Sequence, residues 1–75
     1  MSIFKDHNHA MTYLQSAYDC DLYMHSWQVS KELLISITHV GRLCREGVLP
    51  AVRILGRWKI ETWAVANAMV NGLTR

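Results

Sequence analysis

The sequence predicts a mainly α-helical fold with a small β-hairpin, and three observations carry that prediction. Within residues 8–19, 26–35 and 37–46 the apolar residues recur at helical spacing. Gly47 and Pro50 together stop that pattern. The stretch LPAVRILGRWKI, residues 49–60, is then an apolar run that turns on one central glycine and carries Arg53, Arg57 and Lys59. Seventy-five residues make one domain at most. A chain of this size buries only about 60% of the surface its unfolded form exposes, so its core is thin.

Residues 8–19 form the first predicted helix, with Ala10, Met11, Leu14, Ala17 and Tyr18 on one face and Asp6 or Asn8 as its cap. CDLYMH breaks the pattern. Residues 26–35 read as a short helix with Val29 and Leu33 inward and Lys31 outward. Its cap is Ser26, although His25 with Gln28 three residues on resembles a capping box. Ser36 caps the next helix, 37–46, which Gly47 ends as the residue after the C-cap. About three residues separate these two helices, so they meet steeply, as in a helix-turn-helix.

For the hairpin, a three-residue loop, Leu55-Gly56-Arg57, pairs Ile54 with Trp58, Val52 with Ile60 and Arg53 with Lys59. That register collects four apolar side chains on one face and two cations on the other, and is the expected one. A two-residue loop at Leu55-Gly56 pairs Arg53 with Trp58 and mixes the faces. Residues 61–72 form the closing helix, with Trp63, Ala66, Met69 and Val70 inward and Gly72 at its end. Trp58 and Trp63 are expected as core anchors, and Cys44 as a small core hydrophobe.

The formal net charge of +2 is unevenly spread. Residues 1–25 set Lys5 against Asp6, Asp19 and Asp21, a balance of −2; residues 26–75 set Lys31, Arg42, Arg45, Arg53, Arg57, Lys59 and Arg75 against Glu32, Glu46 and Glu61, a balance of +4. The basic part holds the hairpin, which points to a polyanion as partner. On a helical wheel with Val40 at 0°, Ile37, Leu43 and Cys44 fall within about 60°, while Thr38, Arg42 and Arg45 fall at about 160°, 200° and 140°. His39 flanks this polar stripe at about 260° and Gly41 at about 100°. A threonine and two arginines on a free helix face suit phosphates and the acceptor edge of guanine. A mid-helix glycine costs roughly 1 kcal/mol against alanine, which is expected where another backbone, protein or DNA, comes close. Cations facing each other across a hairpin repel by some tenths of a kcal/mol when free. Against phosphates the same cations become favourable through counterion release.

The residues WQVSKELLISITHVGRLCREGVLPAVRILGRWKIETWAV resemble the small winged-helix proteins of the excisionase and MerR-like class. The likeness rests on IS at 35–36, REGVLP at 45–50 and RILGRWKI at 53–60, and covers residues 26 to about 70. In size and layout the chain is similar to the Cox and Apl type of temperate-phage proteins, which act as excision factors and as repressors. The resemblance implies a winged helix-turn-helix over residues 26–75, with residues 1–25 as an N-terminal helical extension. It implies double-stranded DNA as partner, with Ser36, Thr38, His39, Arg42 and Arg45 of the recognition helix at the major groove. Arg53, Arg57 and Lys59 of the wing then lie along a neighbouring minor groove or its phosphates. An integrase is the implied partner where the role is excision. The chain departs from the family pattern at Gln28, Ser30, Leu34, where the family has its turn glycine, and Gly41.

Other classes find less support. Paired carboxylates, a phosphate-cradling glycine loop and a nucleophile with a base are all missing, so no enzyme and no cofactor is expected. His7, His9, Cys20 and His25 fit no closed zinc pattern, so no metal is expected either. No segment is apolar for 18 residues, the start lacks the pattern of a signal peptide, and two distant cysteines make no disulfide framework, which together predict a cytoplasmic protein with reduced thiols and no membrane contact. The competing class is a small interaction module that inhibits or adapts a host protein without binding DNA. A single small module covers little DNA, which favours several copies side by side on repeated sites and bent DNA. The face of Met11, Leu14 and Tyr18 then docks either on the next copy or on its own domain.

Overall fold

Asp6 stands in extended backbone, and its carboxylate accepts from the His9 amide at 2.9 Å. That cap starts α1 (His7–Tyr18) in a computed structural model that describes residues 6–19 and 22–73. Ala10 and Leu14 are fully buried, Met11 and Tyr18 pack partly buried against the same core, and Ala17 is exposed, contrary to expectation. Asp19, in left-handed backbone, ends the helix. Cys20, with Lys5, Asp21 and Arg75, lies outside the described residues.

The break in the apolar pattern is a strand, β1 (Tyr23–His25), which was not expected. It is three residues long, too short for a period-of-two signal, and only its partner strand reveals it. Next comes α2 (Ser26–Leu33), whose N-cap is His25 and not Ser26: Gln28 Oε1 accepts from the His25 amide at 2.9 Å. Val29 is buried and Leu33 partly so, as expected. Leu34 closes the helix at φ 57°, and its amide, like that of Ile35, donates to the Ser30 carbonyl. The Ser30 hydroxyl in turn donates to the Ile35 carbonyl. Three hydrogen bonds to one residue therefore hold a leucine in the conformation a glycine adopts at no cost.

Ser36 caps α3 (Ile37–Arg45), accepting from the His39 amide at 3.0 Å. At the other end Gly47 takes φ 80°, and the amides of Val48 and Leu49 both donate to the Leu43 carbonyl. This glycine-terminated end folds Leu49 back into the core, where it is 1% exposed.

The hairpin joins β2 (Ala51–Ile54) to β3 (Arg57–Glu61), and its register corrects the expectation. Ala51 pairs with Ile60, Val52 with Lys59, Arg53 with Trp58 and Ile54 with Arg57, around a two-residue turn. Both turn residues have positive φ, Leu55 at 51° and Gly56 at 78°. Such a turn matches the right-handed twist of the strands, and this match outweighed the tidy separation of apolar from cationic side chains. β1 then pairs antiparallel with β3, Met24 opposite Ile60, giving a three-stranded sheet in the order β1-β3-β2. The Glu61 amide donating to Pro50, and the Thr62 amide donating to Leu22, extend the two ladders.

The pleat sends Met24, Ala51, Arg53, Trp58 and Ile60 to the helix side of the sheet, and Tyr23, His25, Val52, Ile54, Arg57, Lys59 and Glu61 to the other. Ile60 and Met24 are buried, while Val52 and Ile54 are about half exposed. Finally α4 (Thr62–Asn71) packs against α1. Ala66 is buried and Met69 and Val70 pack on the core, but Trp63 is 47% exposed; Thr62, Ala64 and Val65 fill the place expected of it.

The described residues thus form a small mixed domain of four helices and a three-stranded antiparallel sheet, with more sheet than a lone hairpin. Residues on both sides of position 25, Ala10, Leu14 and Met24 with Val29, Val40, Ile60 and Val65, share one core. The α1 face of Met11, Leu14 and Tyr18 is used inside the chain. The Tyr18 hydroxyl donates to Glu32 at 2.5 Å, and its ring meets Trp27 edge-on at 6.5 Å between centroids, tying α1 to α2. Burial and that carboxylate raise the Tyr18 phenol above its ordinary range.

Candidate nucleic-acid interface

Helix α3 separates its faces cleanly. Val40, Leu43 and Cys44 are buried, and Thr38, Arg42 and Arg45 are exposed on the opposite side. Ile37 is the exception on the apolar side: at the first turn it projects past the edge of the core and is 56% exposed. Ser36 is exposed with its hydroxyl engaged in the cap, and His39 is half-buried beside the stripe. Cys44 is a free thiol packed in the core, and burial pushes it up to about 11.

The hairpin crosses α3 through Trp58. A Cβ at Gly41 would meet the Trp58 indole nitrogen at 3.7 Å, an ordinary contact distance. The glycine therefore faces a side chain of its own domain, with room for a methyl group, and not an approaching backbone. The Arg53 guanidinium lies over the Trp58 ring, 5.5 Å from its centroid. Such a cation over an indole face is favourable by about 0.5–1 kcal/mol when exposed.

The three hairpin cations are consequently not one cluster. Arg53 lies on the helix side, braced on Trp58, while Arg57 and Lys59 lie on the outer face, Arg57 exposed and Lys59 half-buried between His25 and Val52 in the register. Arg53 does not oppose Lys59, and the repulsion expected between them does not arise in that form. The structure gathers Thr38, Arg42 and Arg45 on one surface and divides the hairpin cations between two.

Several exposed apolar residues near this surface were not anticipated. Trp27, Ile37, Trp58 and Arg57, with His25, Ser26 and Gly56, line an open hollow of about 370 Å³ between the hairpin tip and the starts of α2 and α3. Leu55 at the tip is 97% exposed and Leu34 is 89% exposed. The Leu-Gly dipeptide was the available signal for the tip, since a two-residue turn leaves its first side chain outside any pairing. Among the described residues no helix is long and apolar enough to cross a membrane. Comparison of the chain with family models, with curated proteins and with solved structures finds no match.

Proposed function

We propose that this chain is a cytoplasmic, winged helix-turn-helix DNA-binding protein, with α3 as its recognition helix and the β2–β3 hairpin as its wing. The observation that carries this reading is a helix capped at both ends whose exposed stripe, Thr38, Arg42 and Arg45, backs a fully apolar face, with a basic hairpin packed across it through Trp58. In this reading Arg42, at the centre of the stripe, meets a base edge in the major groove, and Thr38 and Arg45 set the helix on the phosphates. Arg57 and Lys59 reach neighbouring phosphates, and Arg53 combines a phosphate contact with holding Trp58. The resemblance of the sequence to the excisionase and MerR-like class extends this reading to a phage-type excision factor or repressor that bends the DNA it binds. The partners are double-stranded DNA, further copies on repeated sites and, for excision, an integrase.

A second reading is favoured by the apolar hollow around Trp27 and Ile37: a module that binds a host protein and leaves DNA alone. Titration of labelled duplex DNA over a range of salt decides between them. The DNA-binding reading expects a shift at low salt and an affinity that falls by about 0.9 log units per log unit of salt for each phosphate neutralised. Arg57→Ala should lower that slope by about one contact on every sequence alike. No shift on any duplex at low salt would leave the interaction module standing.

A further inference from the structure

We infer that Leu55 is an apolar wedge that enters a base step from the minor groove and kinks the duplex; the inference rests on the DNA-binding reading. Three described residues other than glycine have positive φ: Asp19, Leu34 and Leu55. Asp19 is of a type that tolerates this backbone. Leu34 is held there by the Ser30 carbonyl and hydroxyl. Leu55, at φ 51° and 97% exposed, has neither excuse. Asparagine, aspartate or glycine would serve the turn at less cost. A strained, exposed apolar side chain that the fold does not use is the kind of local inconsistency that gathers at functional sites.

The surroundings narrow the partner. Ile54, half exposed, precedes the tip and Arg57 follows it, so an apolar point is followed directly by a cation. A minor groove offers the complementary arrangement, phosphate walls with a base step at the floor. Paired strands lie about 4.8 Å apart and the minor groove is about 6 Å wide, so the hairpin enters by its narrow two-residue tip and not by the face of the sheet, and the tip carries Leu55 toward the floor. Leucine is among the residues that part a base step in this way, bending DNA toward the major groove. Flexible pyrimidine–purine steps unstack most readily, so the tip favours them without any hydrogen bond to a base.

The test compares wild type with Leu55→Asn, Leu55→Met and Leu34→Asn on a duplex labelled at both ends, with bending read as energy transfer and folding checked by thermal melting. Leu55→Asn should melt no lower than wild type, bind within about tenfold of it because the base stacking no longer broken offsets the lost leucine burial, and leave the duplex straight. Leu55→Met keeps an apolar tip and should still bend it. Leu34→Asn relieves the same backbone cost away from the tip and should bend like wild type. Equal bending by Leu55→Asn and wild type, or binding by wild type without a bend, overturns the wedge alone. Absence of binding by wild type overturns the DNA-binding reading and the wedge with it.

Discussion

Helix α3 and the β2–β3 hairpin carry the cations proposed to meet DNA, yet they hold them in opposite ways. On α3 the arginines stand clear of the core because successive residues step 100° around an axis, so an error of one residue at the helix end moves no side chain from outside to inside. On the hairpin successive residues alternate, and one residue more or less in the turn exchanges the faces. Arg53 shows the consequence: it lies on the helix side against Trp58, where the three-residue loop had placed it outward opposite Lys59. A helix broadcasts its exposed face along its whole length, whereas a hairpin stakes it on one turn.

The largest effect that sharpens this contrast is at the centre of the sheet. Ile60 is fully buried between Met24 and Ala51 in the register, and Ile60→Ala should cost about 2–5 kcal/mol, read by denaturant unfolding. For a domain of this size that is a large part of a total stability of roughly 4–11 kcal/mol. On α3, Arg42→Ala should cost about 1–3 kcal/mol on a specific site and much less on random DNA, measured as the ratio of the two affinities. Equal losses would move Arg42 from base reading to backbone positioning. Gly41→Ala should stabilise the fold by up to about 1 kcal/mol, raising the melting temperature by about 4–8 °C, because the added methyl meets the Trp58 indole at ordinary distance. A loss of stability would show that the indole sits closer to the helix than described. The smallest effect is at Val52, which the expected register paired with Ile60 on the apolar face and the structure leaves 47% exposed opposite Lys59. Val52→Thr should change stability by no more than about 0.5 kcal/mol. A cost approaching that of Ile60→Ala would restore the three-residue loop.

How much of the molecule was legible follows the same division. The cap Ser36, the inward Leu14, Val29 and Val40, and the glycine end at Gly47 were readable because each signal lies within four residues of its effect, and the first cap was narrowed to Asp6 or Asn8. The strand Tyr23–His25 was not, since its identity rests on Lys59–Glu61, far along the chain. Trp63 and Ile37 were misplaced because size and periodicity argue for burial, while the end of each helix lies at the rim of a small core. Ser30 differs from the winged-helix pattern that the sequence resembles, with no reason visible in sequence; its hydrogen bonds to the Leu34–Ile35 turn supply one. Of the interface, the stripe on α3 was legible and the sorting of Arg53 from Arg57 and Lys59 was not.

The central position of β3 also orders events in time. Ile54 and Arg57 meet across two intervening residues, and α2 and α3 across three, so both units can form from neighbouring chain. β1 reaches β3 only by closing a loop, with His25 and Lys59 34 positions apart and Tyr23 and Glu61 38 apart. That closure loses chain entropy before any pairing offsets it. The hairpin and helix pair are therefore expected to form first, and β1 and α1 to dock last, against the sheet edge and α4. On that order a side chain of the late elements, such as Leu14 or Met24, is expected to govern how long the folded state survives, and one in the hairpin, such as Trp58, how fast that state is reached.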